Sequence, residues 1–194
     1  MSSIKSLCLF CGSAGRVAES HRAAATEFGR TLAMRGIRLV YGGGRIGLMG
    51  LAADAALAGG GAVVGIIPRH LQDAEVGHQG VTELIVTADM HTRKRLMFDM
   101  SDGFVVLPGG LGTLDETFEI LTWKQLRLHD KPIVVLDVAG YWKPLLTLVD
   151  HAVAEGYARP QNRDMFTAVD SVPAVFDALA AAPAPQVAAD AKWL

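Results

Sequence analysis

The sequence predicts a three-layer α/β fold, a mostly parallel sheet of about six or seven strands with helices on both faces. Short apolar runs of strand type alternate with longer segments of helical period, the pattern of repeated βαβ units. The runs are rich in Val, Ile and Leu and lack polar alternation, as expected of strands covered on both sides. Glycines collect after three of them, in "CGSAG", "YGGGRIGLMG" and "PGGLGT", where a wound open sheet binds its ligands.

Taken in order, the first strand is 4–10, and "CGSAG" ends it. A helix at 18–35 returns the chain to a second strand at 37–41, after which the second glycine cluster opens a helix at 46–59. The third strand is 62–67. Residues 68–80, "PRHLQDAEVGHQG", form one long irregular connection, the kind that serves as a lid or binding loop. A fourth strand at 83–87 precedes a helix at 90–100 with Asp89 as its cap. The fifth strand, 103–107, runs into the third cluster and a helix at 113–128. A strand at 132–136, a helix at 141–155, a short strand at 166–168 and a helix at 172–181 complete a single domain spanning 1–181. The Ala- and Pro-rich tail, 182–194, is expected to fray or to pack on a partner subunit.

Composition narrows the function. The 194 residues suffice for one good core, and a formal net charge of -2 provides no basic field to draw the protein to nucleic acid or an anionic membrane. The N-terminal apolar run reaches glycine too soon for a signal peptide, and no stretch approaches a membrane span, so the expected compartment is cytoplasmic. Cys8 and Cys11 form a C-x-x-C, but Cys8 lies inside a strand and no second cysteine pair exists, so both read as core thiols. The six histidines show no paired ligand spacing, and no metal or cofactor is expected.

The glycine loops carry the chemistry. "GGGRIG" at 42–47 fits the dinucleotide fingerprint, yet the next strand ends without the acid that would hold a ribose, and no Gly-Lys-Ser/Thr follows any loop. "PGGLGTLDE" says more. Gly109, Gly110 and Gly112 free the backbone to turn several N–H groups toward one point, and a helix starting near Thr113 adds its positive end, which is how phosphate is bound. Thr113 and Glu116 also fit a capping box, but a capping box gives no reason for three glycines.

In "DMHTRKRLM", Arg93, Lys94 and Arg95 crowd the first turn of a helix, against its dipole. A bound anion, or a carboxylate from another element, would reverse the sign of that effect; Arg95 is expected to reach solvent. A phosphate nest, a cationic pair and a carboxylate one turn into the nest's helix together describe a nucleoside monophosphate site. Like charges repel, so Glu116 should face the ribose, where a carboxylate stabilises positive charge at C1' or activates water. Spacing alone does not establish a second catalytic carboxylate.

These motifs resemble those of the LOG ("lonely guy") family: "PGGLGTLDE" is similar to its P-G-G-x-G-T-x-x-E signature and "MHTRK" to its M-H-x-R-K element. The likeness continues through "FCGSAG", "YGGGRIGLMG", "GIIPRHL" and "LTWKQLRLHDKP", covering roughly residues 4–150. It implies a Rossmann-like fold, a homodimer or larger assembly, and hydrolysis of the N-glycosidic bond of adenosine 5'-monophosphates, N6-modified or plain, to free cytokinin base or adenine and ribose 5-phosphate. By the same resemblance Arg93 and Glu116 are catalytic, while Ser13, Gly43, Gly44, Glu75, Lys94, Gly109, Gly110, Gly112, Thr113 and Thr122 hold substrate. Ala14 stands where the family often has a second serine. The decarboxylase label once used for this family finds no Schiff-base lysine with cofactor partners in the chain. The rival reading is a nucleotide-binding sensor or carrier without turnover.

Overall fold

Successive residues of a strand point to opposite faces, and here both faces are apolar. Leu7, Leu9, Leu39, Tyr41, Val105 and Leu136 belong to one core; Cys8, Phe10, Val40, Phe104, Val106 and Val135 belong to a second. A sheet with two buried faces needs helices on both, and that is the architecture. The computed structural model describes residues 4–72 and 77–183. Within them the elements are β1 (Ser6–Phe10), α1 (Glu19–Met34), β2 (Arg38–Tyr41), α2 (Gly47–Ala58), β3 (Val63–Pro68), α3 (Arg69–Gln72) and β4 (Glu83–Thr87). They continue as α4 (Met90–Asp99), β5 (Gly103–Val106), α5 (Leu111–Gln125), β6 (Ile133–Leu136), α6 (Lys143–Ala154), β7 (Thr167–Val169) and α7 (Val172–Ala181).

All strand pairings are parallel, in the order β4-β3-β2-β1-β5-β6-β7. Helices α1, α2 and α7 supply residues to the first core, and α4, α5 and α6 to the second. The chain winds outward from β1 to β4, then crosses back to pair β5 with the free side of β1, so the topological switch lies between β1 and β5.

The expected elements are present, with corrections at their ends. The connection 68–80, expected to be irregular, begins with the short α3; residues 73–76 lie outside the described residues, as do 184–194 of the expected tail. Helix α5 ends at Gln125, not 128. There Arg127 takes a left-handed conformation (φ 58°), Leu128 N–H donates to the Trp123 carbonyl and Arg127 N–H to that of Lys124. This is a Schellman ending, hidden from sequence reading because an arginine fills the usual glycine position.

The segment after that ending ties α4 to α5. His129 is buried; its Nε2 bonds the Ile120 carbonyl of α5 at 2.9 Å, and its Nδ1 accepts the Lys131 N–H at 3.1 Å. Lys131 Nζ donates to the Phe98 carbonyl of α4 at 2.8 Å and lies 3.9 Å from the centre of the Phe98 ring. Burial pushes the His129 pKa from 6.5 down to about 4. The folded ring thus stays neutral where the unfolded one takes a proton, so its contribution to stability is complete above pH 6.5 and is lost as the pH falls toward 4. The expected loss is about 2 kcal/mol by pH 5. Urea midpoints at pH 7.5 and pH 5 should therefore drop more in the wild type than in His129→Gln; equal drops would contradict this assignment.

Candidate active site

The loops after β1 and β5 meet at the switch point. Gly12 N–H donates to the Pro108 carbonyl at 3.0 Å, and Leu48 N–H, at the start of α2, donates to the Gly12 carbonyl at 3.0 Å. These bonds join segments of all three glycine clusters. Gly109 is required by this packing, since a Cβ there would lie 2.1 Å from Thr113 Oγ1 and 2.9 Å from the Gly12 nitrogen.

Helix α5 starts earlier than the sequence suggests, at Leu111 with Gly110 as its N-cap, and not near Thr113. The first ladder bond runs from Leu114 N–H to the Gly110 carbonyl at 3.0 Å, which leaves the amides of 110–113 outside the ladder. Thr113 is therefore a buried residue of the first turn, and no side-chain hydrogen bond caps the helix. The capping box does not form. Gly110 and Gly112 differ from Gly109: a Cβ at either would meet nothing within 4 Å, and neither has a positive φ. Packing among the described residues gives no reason for glycine at these two positions, and no described atom fills the space over them.

Across from this helix start, Asp89 caps α4. Its Oδ1 accepts the Thr92 N–H at 2.8 Å, its Oδ2 the Thr92 hydroxyl at 3.1 Å, and the amide bond holds its carboxyl below the ordinary value. The cap sets the first turn of α4 and with it Arg93, which is buried and places Nη2 3.5 Å from Glu116 Oε1. Glu116 is the one buried carboxylate among the described residues. At 3.5 Å the two groups attract as charges without forming a short hydrogen bond. Arg93 Nη1 rests 3.6 Å from the Met90 sulfur, and the buried Nε has no protein acceptor among the described residues. Gly42 makes the pose possible, because a Cβ there would stand 2.1 Å from Arg93 Nη2.

Lys94 points along the same helix pair. Its Nζ lies 3.2 Å from Asp115 Oδ2 and 3.0 Å from Glu119 Oε1. Burial opposes its charge, but the hydrogen bonds to Glu119 and Asp115 outweigh that effect and raise its pKa. The cations of α4 thus meet carboxylates of α5, and Arg95 pairs with Asp99 on its own helix at 2.8 Å. Asp115 and Glu119 were missed as partners in sequence; acids one before and three after Glu116, on the helix facing two cations, were the available signal.

The remaining expected residues spread out. Ser13 backs the start of α2, where a Cβ on Gly47 would come within 2.4 Å of its carbonyl carbon. Gly43, at φ 77°, accepts the His78 N–H at 2.9 Å, and Gly44 bridges to Gly77. Thr122 is exposed, about 9 Å of helix beyond Glu116, and is not drawn to the Arg93–Glu116 pair. Glu75 lies outside the described residues. Cys8 and Cys11 are free and buried, with thiols pushed well up by burial, which removes them as nucleophiles. Among the described residues no group of three or more His, Cys, Asp or Glu is arranged to hold a metal ion.

Known proteins resemble this chain. A family profile described as "Possible lysine decarboxylase" matches residues 49–179. A cytokinin riboside 5'-monophosphate phosphoribohydrolase of Arabidopsis thaliana is 48% identical over 165 residues, 85% of this chain and 72% of that protein. An enzyme of the same name from Rhodococcoides fascians is 48% identical over 160 residues, 82% of this chain and 81% of its own. Among solved structures, a molybdenum cofactor binding protein from Rippkaea orientalis superposes with a TM-score of 0.68 at 21% identity, covering 91% of this chain and 96% of its own, a likeness of fold alone. With a Rossmann-like parallel sheet, the two signature motifs side by side at its switch point, and relatives of this identity over most of its length, the chain belongs to the LOG family.

Proposed function

We propose that this chain hydrolyses the N-glycosidic bond of adenosine-type 5'-monophosphates, including N6-modified ones, releasing free base and ribose 5-phosphate. The observation that carries the reading is the buried Arg93–Glu116 pair beside an uncapped, glycine-lined helix start. The amides of 110–113 take the phosphate. A phosphate there excludes a carboxylate from its own neighbourhood, and Glu116, about 9 Å of helix from the Gly110 cap, leaves room for a pentose between them. The relatives' names supply the substrate class.

In the reaction the C1'–N9 bond breaks with its electron pair leaving on the base, which takes up a proton. Water adds its oxygen to C1' and gives up a proton. Glu116 stabilises the positive charge that develops at C1' and positions the water; Arg93 orients Glu116 and offers its unpartnered Nε–H to the sugar or phosphate. Lys94, held by two carboxylates, fixes α5 against α4 and supports the ligand site from behind. Decarboxylation through a lysine Schiff base fits less well. Besides Lys94, the partly buried Lys124 and Lys131 are engaged by main-chain carbonyls.

We further read residues 1–181 as one catalytic unit acting in the cytoplasm as a homodimer or larger assembly. No helix among the described residues is long and apolar enough to cross a membrane. Leu111 and Phe118 are exposed along α5 at a spacing that shares one helix face, and Leu126 is exposed at its C-cap, a surface suited to a second copy. Phe118→Glu should shift sedimentation toward the monomer; a wild type that already sediments as a monomer would contradict this.

Incubation with AMP and with N6-isopentenyladenosine monophosphate, followed by chromatography, should show free base. The carrier reading would be favoured by a folded protein that binds these nucleotides and releases none. Arg93→Ala and Glu116→Gln should each lower turnover at least about a hundredfold while the protein stays folded. Gly42→Ala, which displaces the guanidinium without touching its charge, should lower turnover by roughly tenfold or more. Near-normal rates in these variants would refute the assigned roles.

A further inference from the structure

The connection after β6 makes a turn that the reaction so far leaves unused. Ala139 (φ 55°) and Gly140 (φ 76°) are both left-handed, and a non-glycine residue in that region costs on the order of 1 kcal/mol. Asp137 holds the turn: its Oδ1 accepts the Trp142 N–H at 2.6 Å, and its own N–H donates to the Val169 carbonyl at 2.7 Å. Trp142 is buried in the core behind α5 and α6. Tyr141 beside it is 42% exposed and reaches the β5 loop, where its hydroxyl donates to the Gly109 carbonyl at 2.6 Å. The Tyr141 ring stands edge-on to Trp142 at 4.9 Å and to His21 of α1 at 5.4 Å.

Gly109 is joined to Gly110 by a trans peptide, in which the carbonyl oxygen and the next N–H point in opposite directions. Whatever holds the oxygen also aims the Gly110 N–H. Gly110 itself is anchored only through its own carbonyl, which accepts the Leu114 N–H and fixes the following peptide; it has no side chain to hold the Gly109–Gly110 one. A peptide between two glycines meets little steric resistance to rotation from side chains of its own. We propose that Tyr141 is a positioning residue whose hydroxyl locks the Gly109–Gly110 peptide, so that the Gly110 amide joins those of 111–113 in gripping the substrate's phosphate. The proposal rests on the phosphate-binding reading of the α5 start. Tyr141 acts through Gly109 and not on the reacting carbon, so its loss should weaken binding of the phosphate group and leave the glycosidic chemistry largely alone.

Tyr141→Phe removes the hydroxyl and keeps the ring against Trp142 and His21. Two measurements test the proposal: steady-state kinetics with AMP, and calorimetric binding of ribose 5-phosphate, with melting curves to confirm folding. The variant should show a KM roughly five- to tenfold higher and an equal weakening for ribose 5-phosphate, the scale of one misaligned hydrogen bond to a charged group, with kcat reduced less than threefold. Unchanged affinity in Tyr141→Phe, or a loss confined to kcat, would overturn the proposal. If the wild type binds ribose 5-phosphate but releases no base, the hydrolytic reading fails, and the calorimetric comparison still decides the role of Tyr141. A wild type that binds no ribose 5-phosphate overturns both.

Discussion

The candidate site is organised around one buried attraction, that between the Arg93 guanidinium of α4 and the Glu116 carboxylate of α5. Taking two such charges out of water costs several kcal/mol for each ion, and at 3.5 Å their mutual pull does not make the pair a good source of stability. Hydrophobic residues of similar volume would serve the fold as well. The proposed ligand would offset that cost, and the Nε–H of Arg93, buried without an acceptor among the described residues, is one place where it would do so.

The surroundings keep that pair in place without closing it. Lys94 bridges Asp115 and Glu119 beside it, and Lys131 and His129 tie the later parts of α4 and α5 to one connecting segment. Two helices pinned at separate points cannot easily slide, so the separation of the central charges is set by groups that do not react. The glycines divide the labour in the same way. Gly42 and Gly109 make room for protein atoms, those of Arg93 and Thr113, whereas Gly110 and Gly112 leave room that no atom of the described residues fills.

The alternation of apolar runs with helical periods was enough to place all seven strands, because a parallel sheet buried on both faces writes nearly the same signal into every strand. The motifs also marked Arg93 and Glu116, since cations at a helix start oppose its dipole and a capping box at Glu116 left the three glycines before it unexplained. What stayed hidden depended on contacts between distant segments. The start of α5 moved two residues because Thr113 packs under Gly109 instead of capping. The role of Gly42 depends on an arginine fifty-one positions later, and that of Tyr141 on a turn whose left-handed alanine no propensity scale would choose. Glu75 and the end of the tail lie outside the described residues, and Thr122 sits apart from the charged pair.

The most direct measurement is a crystal structure with a slowly turned-over nucleoside 5'-monophosphate or with ribose 5-phosphate. The account predicts phosphate oxygens within hydrogen-bonding distance of the 110–113 amides and the anomeric carbon facing the Glu116 carboxylate. A phosphate seated on another part of the molecule, with Glu116 turned away from the sugar, would contradict it.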